Sequence, residues 1–350
     1  MLTKIALFGT VSSLCALAAF SSLQNVGNPV HGNVTFPALA GLAGLVGVGA
    51  SAPTSAGGPI DRTFTAKRVH TDKIVAQMEL VTIPSGPIRV QATGAPDTLK
   101  ELQVRIVGDE VFIRLDKEEE EAWFPWNLFN MWSRERKVQD LRVRISAPSG
   151  TPYDIEDMTG SIAAGDLDAP LSLDGHSMTA RFGRVQSAKV SVAGSGKITL
   201  GAIKENLDLE IAGSGRIEAV SAAAAQIEIA GGGDVVIGPL TGGLNAEIAG
   251  AGDVRVASIN GPMSVSIAGS GSVLVDGGQA SSFEVEIAGS GDVVFKGNVV
   301  DPKVDIMGSG DVTVGSYSGN LDQEIAGSGD FKVMRPGQQP AMPTPLPSHP

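Results

Sequence analysis

The chain has 350 residues, of which 38 are Asp or Glu and 26 are Lys or Arg, and its formal net charge is −12. Only 5% of the residues are aromatic, whereas 45 are glycine and 20 are proline. This acidity disfavours nucleic acids and anionic membrane surfaces as partners, because both carry negative charge themselves. A composition rich in glycine and poor in aromatic side chains is typical of a turn-rich β-protein rather than of a helical enzyme.

Residues 1–18 have the pattern of a secretory signal peptide. Lys4 supplies a positive charge, Ile5 to Leu17 form an apolar core, and Ala16-Leu17-Ala18 offers a small-residue cleavage site. A membrane anchor is the alternative, but the apolar run is short for a span. We therefore expect an exported protein that resides in the periplasm, at the cell surface or outside the cell.

The chain has a single cysteine, Cys15, which lies inside the signal segment. Removal of the signal would leave a mature chain without disulfides or thiol chemistry. Cys15 follows Ser13-Leu14, whereas a small residue is expected directly before a lipid-acceptor cysteine, so we do not expect lipidation.

Residues 19–59 form a low-complexity stretch rich in Gly, Ala, Pro and Ser, which we interpret as a linker. The run 37–52 is apolar, but it is too short and too rich in glycine to predict a transmembrane span. Contact of this run with a membrane interface remains an alternative. We expect no stable span once the signal is removed.

Residues 60–160 alternate apolar and polar side chains in several short runs, which predicts strands with one buried face. Two of these runs, 102–107 and 111–115, are separated only by a short segment that begins at Gly108-Asp109. A connection this short predicts a hairpin.

An insertion at 116–138 interrupts the strands with an acidic run followed by aromatic residues. The aromatic residues are Trp123, Phe124, Trp126, Phe129 and Trp132. Aromatic clusters with a polar rim anchor binding partners, so these five are the candidate partner-binding residues. The alternative is a flap that covers an end or side of the fold and protects exposed strand edges.

The tripeptide Gly-Xaa-Gly occurs eight times in the second half of the chain, at steps of about 19 residues, which marks a stacked-repeat architecture. The first glycines are Gly194, Gly213, Gly231, Gly250, Gly269, Gly289, Gly308 and Gly327. Alternating runs precede and follow each turn, so each unit is strand, turn, strand and second turn.

The apolar residue two positions before each first glycine is Ile in seven units and Val192 in the other. Matching residues at one position favour stacking of each strand on its copy in the next unit, rather than hairpins. Parallel crossovers are right-handed in nearly all proteins. The sequence therefore predicts an all-β fold, a right-handed parallel β-helix or β-solenoid with coils of about 19 residues, regular over 188–333. Residues 334–350 are proline-rich and predict a disordered tail.

These motifs together resemble one known family, described as putative auto-transporter adhesin, head GIN domain. The resemblance covers 60–333 and rests on the run Gly-Asp-Glu-Val-Phe-Ile-Arg-Leu from Gly108 and on the repeated Ile-Ala-Gly-Ser-Gly-Asp-Val units. It implies an exported bacterial protein with a solenoid-like fold and a surface role. It supplies no catalytic or ligand-binding residues.

The residue after each turn is an aspartate in five units. These are Asp234, Asp253, Asp292, Asp311 and Asp330. Stacking would place their carboxylates in a row, and a bound Ca²⁺ would relieve the repulsion, so these five are the metal candidates. In the alternative interpretation each carboxylate accepts backbone N–H groups at its turn, and no metal or cofactor is required. A second outward row is expected three residues before each first glycine. Its acidic members are Glu210, Glu228, Glu247, Glu286, Asp305 and Glu324.

No nucleophile and base stand at a characteristic spacing, so no catalytic residue is predicted. Asp166, Asp168, Asp174, Arg181 and Arg184 could gather in a side groove of the kind that cleaves polysaccharides. We therefore predict an exported, non-enzymatic envelope or secreted solenoid for adhesion, binding or scaffolding, with a protein or glycan partner and with association through the solenoid ends as a further option. The alternative is a polysaccharide-active enzyme or a carbohydrate-binding module.

Overall fold

The computed structural model describes residues 58–115 and 141–334. This part of the chain is nearly all strand and forms a β-solenoid of about ten turns with coils of about 19 residues. The predicted fold class is therefore confirmed. The predicted signal and aromatic insertion fall outside the described residues, as do the tail after residue 334 and all but the last two residues of the predicted linker.

The described residues form 23 strands and one short helix. The strands are β1 Ile60–Phe64, β2 Arg68–Ile83, β3 Ile88–Thr93, β4 Leu102–Val107, β5 Glu110–Leu115, β6 Arg142–Pro148, β7 Tyr153–Ala164, β8 Leu171–Arg181, β9 Ala188–Gly194, β10 Lys197–Ala202, β11 Asn206–Gly213, β12 Arg216–Ser221, β13 Ala224–Gly231, β14 Asp234–Pro239, β15 Leu244–Gly250, β16 Asp253–Gly269, β17 Ser272–Val275, β18 Gly278–Gly289, β19 Asp292–Val300, β20 Pro302–Gly308, β21 Asp311–Ser318, β22 Asp322–Gly327 and β23 Asp330–Val333. The helix α1 is Pro96–Glu101.

Each strand of the regular column pairs in parallel with its counterpart one coil later. Ile211 lies opposite Ile229, which lies opposite Ile248 in the next coil. These side chains are no more than 2% exposed and belong to one continuous hydrophobic core. The stacking of like residues that the sequence predicted is confirmed, and it buries an apolar column along the whole solenoid.

The Gly-Xaa-Gly turns are corners at which successive coils come into backbone contact. Gly269 has a φ of +139°, and a Cβ placed on it would lie 2.2 Å from the carbonyl oxygen of Gly250. The second glycine, Gly271, has no such φ, but its Cβ would lie 2.4 Å from the carbonyl oxygen of Gly252. Between them, the N–H of Ser270 donates to the carbonyl of Gly250 at 2.8 Å. Glycine is required here because the corners stack backbone on backbone.

At the front of the solenoid, the order of the strands in the sheet differs from their order in the chain. The long strand β2 lies between β7 on one side and β5 and β6 on the other, and all three pairings are parallel. Parallel coils therefore begin well before residue 188. The predicted hairpin is confirmed, since β4 and β5 pair antiparallel around Gly108, which has a φ of +64°.

The two ends of the solenoid are closed to different degrees. At the front, β1 and β3 pair antiparallel, and α1 inserts Leu99, which is 1% exposed. At the far end, β22 and β23 are mostly exposed, and only Ile325 and Phe331 pack partly against the core. Among the described residues, no helix is long and apolar enough to cross a membrane.

Candidate functional site

The regular coils present two long outer surfaces. We name the outer surface of the strands that end at each first glycine the IAG face, formed by β9, β11, β13, β15, the second half of β16, β18, β20 and β22. We name the outer surface of the strands that follow each turn the DV face, formed by β10, β12, β14, the first residues of β16, β17, β19, β21 and β23. The two faces meet at the glycine corners.

Parallel register aligns the outward residues of the IAG face into rows. The row predicted from the sequence is Ser191, Glu210, Glu228, Glu247, Ser266, Glu286, Asp305 and Glu324. Beside it runs a row of small side chains next to the corners, made of Ala193, Ala212, Ala230, Ala249, Ala268, Ala288, Met307 and Ala326. The IAG face is therefore an acidic strip flanked by a flat strip of alanine.

The acidic row of the IAG face has few internal partners. Among the described residues, its one ion pair joins Asp305 to Lys303 at 3.8 Å. Gln226 donates to Glu228 at 3.2 Å. Neighbouring members such as Glu228 and Glu247 lie directly opposite each other on adjacent strands. Like charges in that position repel and destabilise a sheet.

The DV face holds the aspartates that the sequence proposed as metal candidates. Asp234 lies opposite Asp253, and Asp311 lies opposite Asp330. Ser272 pairs with Asp253 on one side and with Asp292 on the other, so it interrupts the row. Metal binding by this row stays a prediction.

Two of these aspartates accept a backbone hydrogen bond from the following coil. Asp292 accepts from the N–H of Asp311 at 2.9 Å, and Asp311 accepts from the N–H of Asp330 at 3.0 Å. These hydrogen bonds join one coil to the next. The interpretation without metal predicted that each carboxylate accepts backbone N–H groups of its own turn.

Cations on the DV face are paired with carboxylates. Arg216 donates to Glu218 at 2.8 Å and to Asp234 at 3.4 Å. The hydrogen bond from Arg216 holds the pKa of Glu218 below its usual value. Asp276, at the end of β17, accepts from Arg255 and from Lys296, each at 2.7 Å. Burial raises the pKa of Asp276, but these hydrogen bonds outweigh burial and leave the pKa below 3.8.

The structure brings together some of the residues proposed for a polysaccharide-cleaving groove. Arg184 contacts Asp166 at 3.0 Å and Asp168 at 3.7 Å, and Lys204 contacts Asp168 at 3.1 Å. The hydrogen bond from Lys204 lowers the pKa of Asp168. Each carboxylate is thus neutralised by a cation, which is the arrangement of a structural ion-pair network. Asp174 lies elsewhere, in a separate groove.

That separate groove is a cavity of about 430 Å³ at the front of the IAG face. Its lining is mostly charged, and comprises Asp72, Lys73, Glu156, Asp157, Ser172, Leu173, Asp174, Lys189, Ser191 and Glu210. Lys73 and Asp157 have φ values of +51° and +49°, so the strands bend at this point. At the bend, His176 contacts Asp157 at 3.3 Å.

A second histidine lies beside this groove in a cluster that the sequence did not reveal. Nδ1 of His70 is 3.2 Å from Asp154, and Nε2 is 4.0 Å from Glu156. His70 and Asp154 are 84 positions apart in the chain. No local motif joins them, and only the pairing of β2 with β7 could have revealed the cluster. The five aromatic partner-binding candidates, Trp123 to Trp132, lie outside the described residues.

One comparison with known proteins identifies the family of this chain. A family model described as "Putative auto-transporter adhesin, head GIN domain" matches residues 73–259 and 257–335. These segments cover most of the chain, so the chain belongs to this family, and the resemblance drawn from the sequence is confirmed.

Several solved structures are similar to the chain at low sequence identity. A "putative adhesin" from Parabacteroides distasonis ATCC 8503 is 12% identical, with a TM-score of 0.35 over 79% of this chain and 98% of that chain. A "putative adhesin" from Bacteroides fragilis NCTC 9343 is 14% identical, with a TM-score of 0.34 over 79% and 97%. A "putative lipid binding protein" from Parabacteroides distasonis ATCC 8503 is 14% identical, with a TM-score of 0.35 over 80% and 98%. No curated protein matches the chain.

Proposed function

We propose that this protein is an exported, non-enzymatic adhesion protein of the bacterial cell envelope that binds its partner through the IAG face. The observation that carries the proposal is the acidic row, whose carboxylates form a single ion pair among the described residues, that of Asp305 with Lys303. The family supports a surface role, because its description names an adhesin.

The acidic row of the IAG face costs stability. Neighbouring strands of a sheet are about 4.8 Å apart, and like charges placed directly opposite each other on such strands destabilise the sheet. The DV face shows that the same repeat can place cations beside its acids, as at Arg216 and Asp276. A cationic partner seated on the IAG face would relieve that repulsion in the bound state.

The proposed partner is a protein surface that carries basic side chains. Apart from Met307, the alanine row is a flat strip without long side chains, so a partner can approach the sheet closely. Repetition of the same carboxylate along the column allows several weak contacts to act together, which raises avidity without any single strong contact. Glycan binding sites commonly use aromatic side chains, and the rows of the IAG face between residues 188 and 327 contain none.

Adhesion is tested with beads coated with the mature chain and mixed with bacterial cells. One variant neutralises three IAG carboxylates (Glu228→Gln, Glu247→Gln, Glu286→Gln), and a matched variant neutralises three on the DV face (Asp234→Asn, Asp253→Asn, Asp292→Asn). We expect the IAG variant to lose most bead attachment and the DV variant to keep it.

Two treatments of the cells distinguish the partner classes. Removal of cell-surface protein with protease should abolish attachment, and periodate oxidation of surface glycans should leave it unchanged. Attachment that survives protease but not periodate would overturn the protein partner in favour of a glycan. Equal loss in both variants would overturn the assignment of the IAG face.

Export is tested separately by cell fractionation and by mass measurement of the mature N-terminus. We expect cleavage after Ala18 and recovery from the envelope or the medium. A chain that stays in the cytoplasm with its first 18 residues intact would contradict export.

A further inference from the structure

The cluster around His70 lies at the front end of a third outward row of the IAG face, which runs beside the acidic row and includes Lys189 and Asp208. In that row His70 is opposite Asp154 on β7, which is followed by Ser172 and Lys189 on the next two coils. Glu156 lies two residues after Asp154 and therefore faces the same side of the sheet. The pairing of β2 with β7 therefore places the imidazole of His70 next to the carboxylates of Asp154 and Glu156 on the same face of the sheet.

The distances within the cluster suit a shared metal ion. One ligand atom from each of His70, Asp154 and Glu156 can be chosen so that all three lie within 4.8 Å of one another. The shortest separation, from Nδ1 of His70 to Oδ2 of Asp154, is 3.2 Å. Two ligands at about 2.1 Å from a tetrahedral Zn²⁺ are about 3.4 Å apart, so this pair already has the spacing of common ligands. Glu156 is half exposed, so we expect its side chain to adjust when an ion binds.

The imidazole of His70 is oriented by aromatic stacking in addition to its contact with Asp154. Phe112, on β5, stacks on His70 with ring centroids 5.2 Å apart and an angle of 11° between the rings. The guanidinium of Arg105 lies 5.0 Å from the centroid of Phe112. The side chain of His70 is only 18% exposed. A ligand that is already oriented loses little entropy when it binds a metal ion.

We propose that His70, Asp154 and Glu156 form a binding site for a first-row divalent transition metal, with Zn²⁺ as the ion that the donor set fits. Imidazole nitrogen favours Zn²⁺ and its neighbours in the series, whereas Ca²⁺ takes oxygen ligands only. The site is therefore different in chemistry from the aspartate row of the DV face. It is also independent of the adhesion proposed for the IAG face.

Three protein ligands leave a coordination position for water or for an incoming group. Glu156 lines the groove of about 430 Å³, which also contains Lys73 and Lys189. An anionic group that entered this groove could complete the metal coordination and pair with a lysine. Zn²⁺ alone serves as the probe of the site, because its binding needs only the three protein ligands.

The test is a Zn²⁺ titration of the full mature chain by competition with a chromophoric chelator. The decisive variant is His70→Gln, and the matched control is His176→Gln. His176 also contacts one carboxylate, Asp157 at 3.3 Å, but no group of three ligands forms around it in the described part of the chain. We expect His70→Gln to weaken one Zn²⁺ equivalent by at least about ten-fold, and His176→Gln to leave it unchanged.

Two further variants protect the test against a folding defect at His70. Asp154→Asn and Glu156→Gln alter side chains that are 41% and 54% exposed, so both should fold with unchanged circular dichroism. Each should weaken the same Zn²⁺ equivalent, and each should lose the visible absorption that Co²⁺ acquires when it is bound by nitrogen and oxygen ligands in the unsubstituted chain. Unchanged Zn²⁺ affinity in both variants, or equal loss in His176→Gln, would overturn the site.

Discussion

The IAG face and the DV face are built from the same repeat, but they differ in how they hold their charges. On the DV face, Arg216, Arg255 and Lys296 lie beside carboxylates at 2.7–2.8 Å. On the IAG face, an almost continuous row of acids extends over the regular coils with a single ion pair at Asp305 among the described residues. Stacking imposes the same spacing on both faces. The difference therefore lies in the choice of outward residue, which packing of the core does not constrain.

We interpret this contrast as the basis for the adhesion proposed for the IAG face. A charge that is satisfied internally contributes to the fold, whereas an unsatisfied row costs stability and is available to a partner. Substitutions on the two faces, and at the corner that joins them, should therefore change stability by different amounts.

The largest effect is expected at a corner, because a corner holds both faces in register. Gly269→Ala should destabilise the chain by about 3 kcal/mol or more, since its φ is +139° and the new Cβ would meet the Gly250 carbonyl at 2.2 Å. The control is Gly232→Ala, at the middle position of a turn where an added Cβ has no neighbour within 4 Å. Urea unfolding should show a lower midpoint for Gly269→Ala only. Equal midpoints would contradict the stacked-corner explanation.

Removal of the central carboxylate of the DV network should have a moderate effect. Asp276→Asn removes the negative charge beside Arg255 and Lys296 and replaces one of the two oxygens that accept their hydrogen bonds, so it should cost about 1 kcal/mol. The pKa of Asp276 is lower in the folded chain than in the unfolded chain, where 3.8 is expected, so the unfolded state binds more protons. Stability from this carboxylate is therefore present above about pH 4 and is lost as the pH falls through the folded pKa. Unfolding measured from pH 6 to pH 3 should show a shallower decline for Asp276→Asn.

Neutralisation of the IAG row should have the opposite sign. Glu228→Gln combined with Glu247→Gln removes one directly opposed pair of like charges and should stabilise the chain by about 0.5 kcal/mol. Thermal unfolding of this variant beside Asp276→Asn is the direct test of the contrast between the faces. Destabilisation by the double Gln variant would show that the row has cationic partners after all.

The smallest effect is expected from salt. An increase in ionic strength from about 0.01 M to about 0.1 M shortens the Debye length from about 30 Å to about 10 Å and weakens repulsion along the row. The melting temperature of the unsubstituted chain should rise slightly, and that of Glu228→Gln combined with Glu247→Gln should rise less. A fall in melting temperature with salt would indicate that the paired charges of the DV face dominate.

The regular column could be predicted from sequence because its contacts repeat at a fixed chain distance. The column of Ile211, Ile229 and Ile248 follows from the period alone, and so does the need for glycine at the corners. The hairpin at Gly108 could be predicted because its two strands are adjacent in the chain. The acidic row of the IAG face was also visible, but its lack of cationic partners depends on side-chain positions in neighbouring rows.

The front of the solenoid could not be predicted in the same way. The strand β2 pairs with β5, β6 and β7, and these pairings join segments that are tens of residues apart and share no repeat. The contact of His70 with Asp154 follows from that arrangement. Alternation of apolar and polar residues predicts a strand, but it does not predict which strands are neighbours in the sheet.

The sequence by itself determined the class of fold, the length of the coil, the glycine corners and the family. A repeat specifies the contact between each unit and the next. Equivalent residues recur at a fixed interval, so their contacts can be predicted even though they are about 19 residues apart in the chain. The tertiary structure alone decided the order of the front strands, the ion pairing of the DV face and the cluster at His70. These depend on register between unrelated segments and on the directions of outward side chains, which the burial of the core leaves free.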